Sequence, residues 1–296
     1  MSKQSICWIN GELVSNSEAK VSIYDHGFLY GDGVFEGIRF FNRSPFKLHE
    51  HLQRLRYSAQ AIALELQYSL EEISQAIDDV IAKFPEDSGY LRLVATRGVG
   101  PLGLDPKGCR QPGLFIMADH LEMVSESTRS AGARLIIASI RRLPIDGLDP
   151  RIKSLNYLNQ VLARIEANHA GVDEAILLNQ AGRVAEGTAD NLFIVTGGKL
   201  LTPPVIEGAL EGVTRNLVIS LAMQAGITTA ECPLAPYDLY IADECFLTGT
   251  GAELIPVSEV DGRRINSCPG PLFTELERRY RKQISGEIVI NKTAFQ

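Results

Sequence analysis

Residues 95–108 read ATRGVGPLGLDPKG. They hold Gly98, Gly100 and Gly103 in the spacing G-x-G-x-x-G, the fingerprint of a dinucleotide-binding turn. If the fingerprint holds, the chain is a doubly wound parallel α/β protein. If it fails, the glycines shape a loop and the sheet is of another kind. A dinucleotide turn needs a strand before it, a helix opening within it, and an acidic residue about 20 residues on. The strand is there, as YLRLVATR (90–97). The helix is not. LDPKGCRQPG carries Pro106 and Pro112 and no apolar stripe at helical spacing, so a phosphate would find no row of aligned amides. The dinucleotide reading of the motif is set aside, and an NAD-dependent oxidoreductase stays only as the alternative from another class. The link to the next strand, GLFIMA (113–118), is still long for an inert connection, and long loops on rigid scaffolds carry function.

Outward from that loop, strands alternate with helices. ICWING is a short strand ending in the hairpin signal Asn10-Gly11. VFEGIRFF (34–41) reads as a strand. Leu48, Leu52, Leu55 and Ala59 recur at helical spacing. Ser69 and Glu72 form a capping box for a helix over SLEEISQAIDDVIAKF. Residues 119–131 are polar and aperiodic. This predicts a small N-terminal α/β domain over 1–120, a linker over 121–131, and a larger C-terminal domain over 132–296. In the second domain, KSLNYLNQVLARIEANHAG predicts an amphipathic helix ending at Gly171. DEAILLN and NLFIVTGGKLLTPP predict strands, the latter a hairpin turning at Gly197-Gly198. A helix starts near Thr214, and DECFLTGTGAELIPV reads strand, glycine turn, strand. The expected class is α/β, with mixed (α+β) sheets in two domains.

Bulk properties narrow the function. The 296 residues are 45% hydrophobic and 22% charged, with net charge −7. Dispersed Lys and Arg on an acidic chain argue against nucleic acid or an anionic membrane as partner. No apolar run approaches the roughly 20 residues that cross a bilayer. The N-terminus lacks a signal-peptide core. Cys7, Cys109, Cys232, Cys245 and Cys268 are odd in number and scattered, which predicts free thiols in a reducing cytoplasm. His49-Glu50-His51 is too tightly spaced for a helical zinc site and reads as a solvated helix start; no metal site is expected.

Several residues could carry chemistry, each with an ordinary alternative. Lys153 and Tyr157 are spaced i, i+4 and would share a face at a helix start, where a neutral lysine is a nucleophile towards aldehydes. The alternative is a solvated lysine. Glu186 precedes a strand and could hold a pyridine nitrogen protonated, or be a turn carboxylate; Asp190 offers the same choice. Gly212, Val213 and Thr214 lie ahead of a helix and suit a phosphate monoester, or a plain Thr N-cap. The turn at Gly249, Thr250 and Gly251 could be an anion nest or a tight hairpin. Arg54 and Arg56 cannot share a helix face, so at most one points inward. Together these supply a Schiff-base lysine, a ring-nitrogen carboxylate and phosphate-binding elements, the set that pyridoxal phosphate requires.

The chain also resembles a known family through YDHGFLYGDGVFEGIRFF, HEHLQRLRYSA, YLRLVATRGVGPLGLDP, DPRIKSLNYLNQVLARIEA, DEAILLNQAGRVAEGTADNLFIV, TPP, LEGVTRNLV and TGTGAELIPV. These run in order from about residue 5 to 260 and are similar to the class IV (fold-type IV) pyridoxal phosphate-dependent aminotransferases, a D-amino acid aminotransferase-like fold. The resemblance is closest to the branched-chain amino acid aminotransferases. It implies transfer of the amino group between leucine, isoleucine or valine and 2-oxoglutarate, through a Lys153 Schiff base with pyridoxal 5'-phosphate. It implies a cytoplasmic homodimer, or a dimer-based oligomer, acting on amino acids and 2-oxo acids. Lys153 resembles the cofactor lysine, Tyr157 the tyrosine on the ring oxygen, and Glu186 the partner of the ring nitrogen. Arg54 resembles the phosphate arginine, helped by Val213, Thr214, Gly249 and Thr250. Tyr90, Thr250 and Gly251 resemble the α-carboxylate site. Tyr30, Phe35 and Gly37 resemble the side-chain pocket, and Arg92 the arginine that receives glutamate. The loop glycines would shape an excursion that brings Leu102 or Leu104 to a partner subunit's pocket. One departure is Ala189, where glycine is expected.

Relatives on the same fold give the alternatives: a D-amino acid transaminase, an (R)-amine transaminase, or aminodeoxychorismate lyase. The first should carry an Arg-x-His in the loop after residue 97, where this chain has no histidine before Gln111. The second should lack Arg92. An NAD-dependent oxidoreductase, or a cofactor-free binding protein derived from the fold, would lack the yellow colour of a pyridoxal enzyme.

Overall fold

The computed structural model describes residues 6–121 and 124–286. They fall into two compact units. One holds residues 6–121 with Pro144–Asn159, the other Val124–Leu143 with residues 160–286.

The first unit is built on β1 (Ile6–Ile9), β2 (Glu12–Ser15), β3 (Gly33–Phe41), β4 (Ser44–Pro45), β5 (Gly89–Thr96) and β6 (Gly113–Asp119). They form one sheet in the order β2-β1-β6-β5-β3-β4, antiparallel at every pairing. Alternation sorts its faces. Val34, Ile38, Leu91, Leu93, Ala95 and Ile116 join one buried core with residues of α2 (Leu48–Ala61) and α3 (Leu70–Lys83). On α3 the buried set is Ile73, Ala76, Ile77, Val80 and Ile81, a helical stripe. Its capping box is formed as expected: Ser69 Oγ accepts from Glu72 N (3.2 Å), and Glu72 accepts from Ser69 N (2.7 Å).

The second unit contains β7 (Ala133–Arg141), β8 (Glu174–Leu178), β9 (Val184–Glu186), β10 (Asn191–Thr196), β11 (Lys199–Thr202), β12 (Thr229–Glu231), β13 (Glu244–Gly249), β14 (Glu253–Val260) and β15 (Arg263–Arg264). Their sheet runs β12-β11-β10-β13-β14-β7-β8-β9, with β15 on β14. It is the mixed one, parallel at β11/β12, β14/β7 and β7/β8. The β10–β11 hairpin turns at Gly197 and Gly198, both at positive φ.

Two local readings need correction. The stretch read as a linker contains a helix (Glu126–Ala131), which we label α4, capped by Ser125 Oγ on Thr128 N; six residues are too few to show a period. Residues 122 and 123 of that stretch lie outside the described residues. The second correction concerns Pro144–Asn159, which packs in the first unit rather than with 132–296. Strand pairing explains this: Phe35 N donates to Lys153 O (2.9 Å), Leu155 N donates to Gly33 O (2.9 Å), and Val34 bridges Ser154. Among the described residues, no helix is long and apolar enough to cross a membrane.

Candidate active site

The G-x-G-x-x-G segment is a loop, as the missing helix required. After Gly103 comes only a 3-10 turn, Pro106–Gly108. Gly98 is at φ +89°, and a Cβ there would lie 1.9 Å from Gln111 O, so this position demands glycine. The loop is fastened to the short helix α1 (His26–Tyr30). His26 N donates to Gly98 O (3.0 Å), His26 Nε2 to Pro101 O (2.9 Å), and Gly103 N to Tyr30 Oη (3.0 Å). Leu102 and Leu104 are 71% and 81% exposed. Tyr30 therefore holds the loop, whatever else it lines.

The outward face of β3 and β5 gathers several of the expected residues within the first unit. Phe35 and Gly37 pair across the ladder with Val94 and Arg92. Arg92 Cζ lies 4.6 Å from the Phe35 ring centroid and 5.7 Å from that of Tyr90. Lys153 Nζ lies 4.6 Å from the same Phe35 centroid and 3.3 Å from Tyr157 Oη. Tyr157 meets Phe35 edge-on at 5.0 Å. Among the described residues, no carboxylate lies within salt-bridge range of the Lys153 ammonium. Its backbone is pinned by Ser58 Oγ, which accepts from Lys153 N (3.1 Å). Burial pushes the Tyr90 phenol up, with Glu36 and Tyr157 adding to it and Arg92 and Arg39 opposing.

The helix-start reading of Lys153 and Tyr157 is wrong in detail. The helix (α5) begins at Leu158. Both residues sit in the extended and turn segment before it, because that segment is held by pairing with β3. Their closeness comes from that segment's path and not from a helical face.

Arg54 is on the other side of β3, facing inward from α2, while Arg56 is exposed. Arg54 Nε and Nη2 donate to Glu36 Oε1 (2.7 Å) and Oε2 (2.8 Å). His51 Nδ1 also donates to Glu36 Oε2 (2.8 Å). The solvated reading of His49-Glu50-His51 thus holds for the first two and fails for His51, which is 1% exposed. Burial pushes the His51 imidazole down towards its neutral form. Burial alone would raise the Glu36 carboxyl. Arg54 and His51 outweigh it and hold that group well below the usual carboxylate range.

In the second unit, Glu186 ends β9 and is buried. Its Oε1 accepts from Arg142 Nε and Nη2 (both 2.9 Å), and its Oε2 from Leu210 N (2.8 Å). Arg142 Nε also reaches Gly208 O (3.2 Å). Gln160, with its amide oxygen turned to the guanidinium, accepts from Arg142 Nη1 (2.8 Å). The next helix, α6 (Val213–Gln224), is capped by Gly212 with no side-chain hydrogen bond, which corrects the Thr214 N-cap alternative. A Cβ at Gly212 would lie 2.0 Å from Asn191 Oδ1. In the β13–β14 turn, a Cβ at Gly249 would lie 2.1 Å from Asp190 Oδ1. Next to that turn, the buried Thr248 Oγ1 has no hydrogen-bond partner among the described residues.

The model of the family Amino-transferase class IV matches residues 33–260. The chain belongs to the class IV aminotransferases. A relative from Methanocaldococcus jannaschii, provisionally named a branched-chain-amino-acid aminotransferase, is 48% identical over 276 residues, covering 93% of this chain and 94% of the relative. The solved Escherichia coli branched-chain amino acid aminotransferase is 33% identical with a TM-score of 0.93, covering 99% of this chain and 98% of that one. The branched-chain amino acid aminotransferase from Thermobaculum terrenum, solved in its PLP-bound holo-form, is 33% identical with a TM-score of 0.88, covering 97% of this chain and 96% of that one. The fold of this class IV aminotransferase is accordingly fold-type IV.

Three residues of this aminotransferase escaped the sequence reading: Glu36, His51 and Arg142. Glu36 had a signal. It shares the parity of Val34, Ile38 and Phe40, so alternation buries it, and a buried carboxylate needs a partner. Arg142 had none, because its partner is 44 residues away.

Proposed function

We propose that this chain is a branched-chain-amino-acid aminotransferase, moving the amino group between leucine, isoleucine or valine and 2-oxoglutarate with pyridoxal 5'-phosphate. The observation that carries the reading is the Phe35 ring, approached by the Lys153 amine on one hand and the Arg92 guanidinium on the other. An apolar wall with a cation at its edge suits both an aliphatic side chain and a glutamate carboxylate. The residues present fit the cofactor. Lys153 Nζ is free of carboxylates among the described residues. Glu186 is buried as an ion pair, and the α6 N-terminus lacks a side-chain cap.

When bound, the cofactor supplies an aldehyde that captures the amino group and a ring that accepts the electrons of the α-carbon. Lys153 Nζ would hold that aldehyde and, as a free amine, would take up and return the α-proton. Tyr157 Oη, beside Nζ, orients the amine and the ring oxygen. Glu186 holds the proton of the ring nitrogen. Arg54, Val213, Thr214, Gly249 and Thr250 hold the phosphate; Tyr90, Thr250 and Gly251 the α-carboxylate; Tyr30, Phe35, Gly37, Leu102 and Leu104 the side chain. The enzyme acts in the cytoplasm as a homodimer or dimer-based oligomer. The free thiols of all five cysteines fit a reducing compartment.

The test is a half-reaction screen. The purified protein should be yellow, borohydride should fix the cofactor to Lys153, and Lys153→Ala should be colourless. L-leucine and L-glutamate should each discharge the colour. Reaction with D-alanine alone would overturn the branched-chain assignment, and failure to bind pyridoxal phosphate would overturn the whole reading.

A further inference from the structure

Glu36 is 0% exposed and His51 1% exposed, and the half-buried Arg54 completes a triad of ionisable groups. Packing gives no reason for it. Taking ions out of water costs several kcal/mol each, and a buried ion pair is often no better than well-packed hydrophobic residues of the same volume. Charge alone gives no reason either. With Glu36 ionised and His51 neutral, the cluster carries no net charge, so Glu36 cancels the attraction that Arg54 would exert on an anion.

Geometry does give a reason. Glu36 grips the Nε–Nη2 edge of Arg54 with two hydrogen bonds, which removes the freedom of a long side chain. His51, three residues before Arg54 on α2, fixes Glu36 Oε2. The residue next to Glu36, Phe35, donates its amide to Lys153 O. Ser58, one turn beyond Arg54 on α2, accepts from Lys153 N. The guanidinium and the lysine are thus tied into one hydrogen-bonded frame inside a single unit, from both β3 and α2.

We infer that Glu36 and His51 are positioning residues, which hold the Arg54 guanidinium at a set place relative to Lys153 so that the cofactor's phosphate meets a pre-oriented fork. The inference rests on the reading above that Arg54 contacts the phosphate. Positioning and charge make opposite predictions. Removing the Glu36 charge leaves the cluster more positive, so an attraction governed by charge would strengthen. One governed by orientation weakens.

The experiment titrates the cofactor-free full-length protein with pyridoxal 5'-phosphate and with pyridoxal, which lacks the phosphate. The Kd for pyridoxal divided by the Kd for pyridoxal 5'-phosphate isolates the phosphate contribution. In Glu36→Gln and in His51→Phe the ratio should fall by about tenfold or more, with the Kd for pyridoxal changed by less than about twofold. His51→Asn, which keeps a donor near the Nδ1 position, should restore most of it. Circular dichroism melts identify folded variants; if Glu36→Gln does not fold, the His51 pair decides by the same ratio. An unchanged or increased ratio in the folded variants would overturn the positioning role while leaving the cofactor assignment intact. A wild-type protein that does not prefer pyridoxal 5'-phosphate over pyridoxal would overturn both.

Discussion

The hydroxyl of Tyr90 fills the space above Gly37. A Cβ on Gly37 would stand 1.8 Å from Tyr90 Oη and 2.6 Å from its Cζ. Glycine is needed there so that a tyrosine two residues away on the neighbouring strand can lie across it. Gly37→Ala should therefore push the Tyr90 ring out, at an overpacking cost of about 1–3 kcal/mol. We expect KM for amino donors to rise while the cofactor's absorbance and affinity stay near wild type. Tyr90→Phe should relieve the clash only in part, because the ring carbon remains. Equal KM values in wild type and Gly37→Ala would remove both residues from the substrate site.

Arg142 and Glu186 form a buried pair, with side chains 6% and 7% exposed. Arg142→Met takes two donors from Glu186 Oε1 and leaves a buried carboxylate. Breaking such a pair costs about 3–5 kcal/mol, to be read in thermal or denaturant melts. Arg142→Met combined with Glu186→Leu should recover much of the stability, since both charges are gone, but not activity. If Arg142→Met melts like wild type, the pair contributes nothing to the fold.

Acid should weaken the first unit in two windows. The folded His51 binds its proton less readily than the unfolded chain, whose histidine titrates near pH 6.5. Its contribution therefore begins to fall as pH drops below about 6.5. The folded Glu36 is also held below its unfolded value, near about 4.3, so its stabilisation is present above that pH and fades below it. Melting temperature should be flat between about pH 7 and 8, decline gently below about pH 6.5 and steeply below about pH 4.5. His51→Asn should abolish the first decline and keep the second. Identical profiles for the two proteins would contradict this account of His51.

The exposed Leu102 and Leu104 bury little surface within the chain. Replacing both with Ser should leave stability within about 0.5 kcal/mol, yet shift donor preference away from leucine and isoleucine if the loop walls a pocket. Tyr30→Phe removes the acceptor for Gly103 N and should loosen the same loop, detected as faster amide hydrogen exchange over residues 98–104. An unchanged donor profile in the double Ser variant would leave the loop as scaffolding.

Local chemistry made much of the fold legible. Ser69 and Glu72 start α3 where the capping box says, because both partners lie within one turn. Gly197-Gly198 turns a hairpin because only glycine takes those dihedrals cheaply. The absent helix after Gly103 was readable from two prolines. The adjacency of Lys153 and Tyr157 was anticipated, although for the wrong local reason. Among what escaped were the helix over Pro271–Ile284, α4, too short to show a period, and the packing of Pro144–Asn159 in the first unit, which depends on an open edge of β3.

By itself the sequence placed β3, β5, β6, α2 and α3 by spacing and motif, and through its resemblance pointed to the family and to the candidate lysine. Only the tertiary structure decided which charges meet. Glu36 finds Arg54 at a separation of 18 residues, and Glu186 finds Arg142 at 44. Alternation can say that Glu36 shares a face with Val34 and Ile38. It cannot say which helix covers that face or at what rotation. Those are set by long-range packing of a whole core, and a buried charge has its partner chosen there.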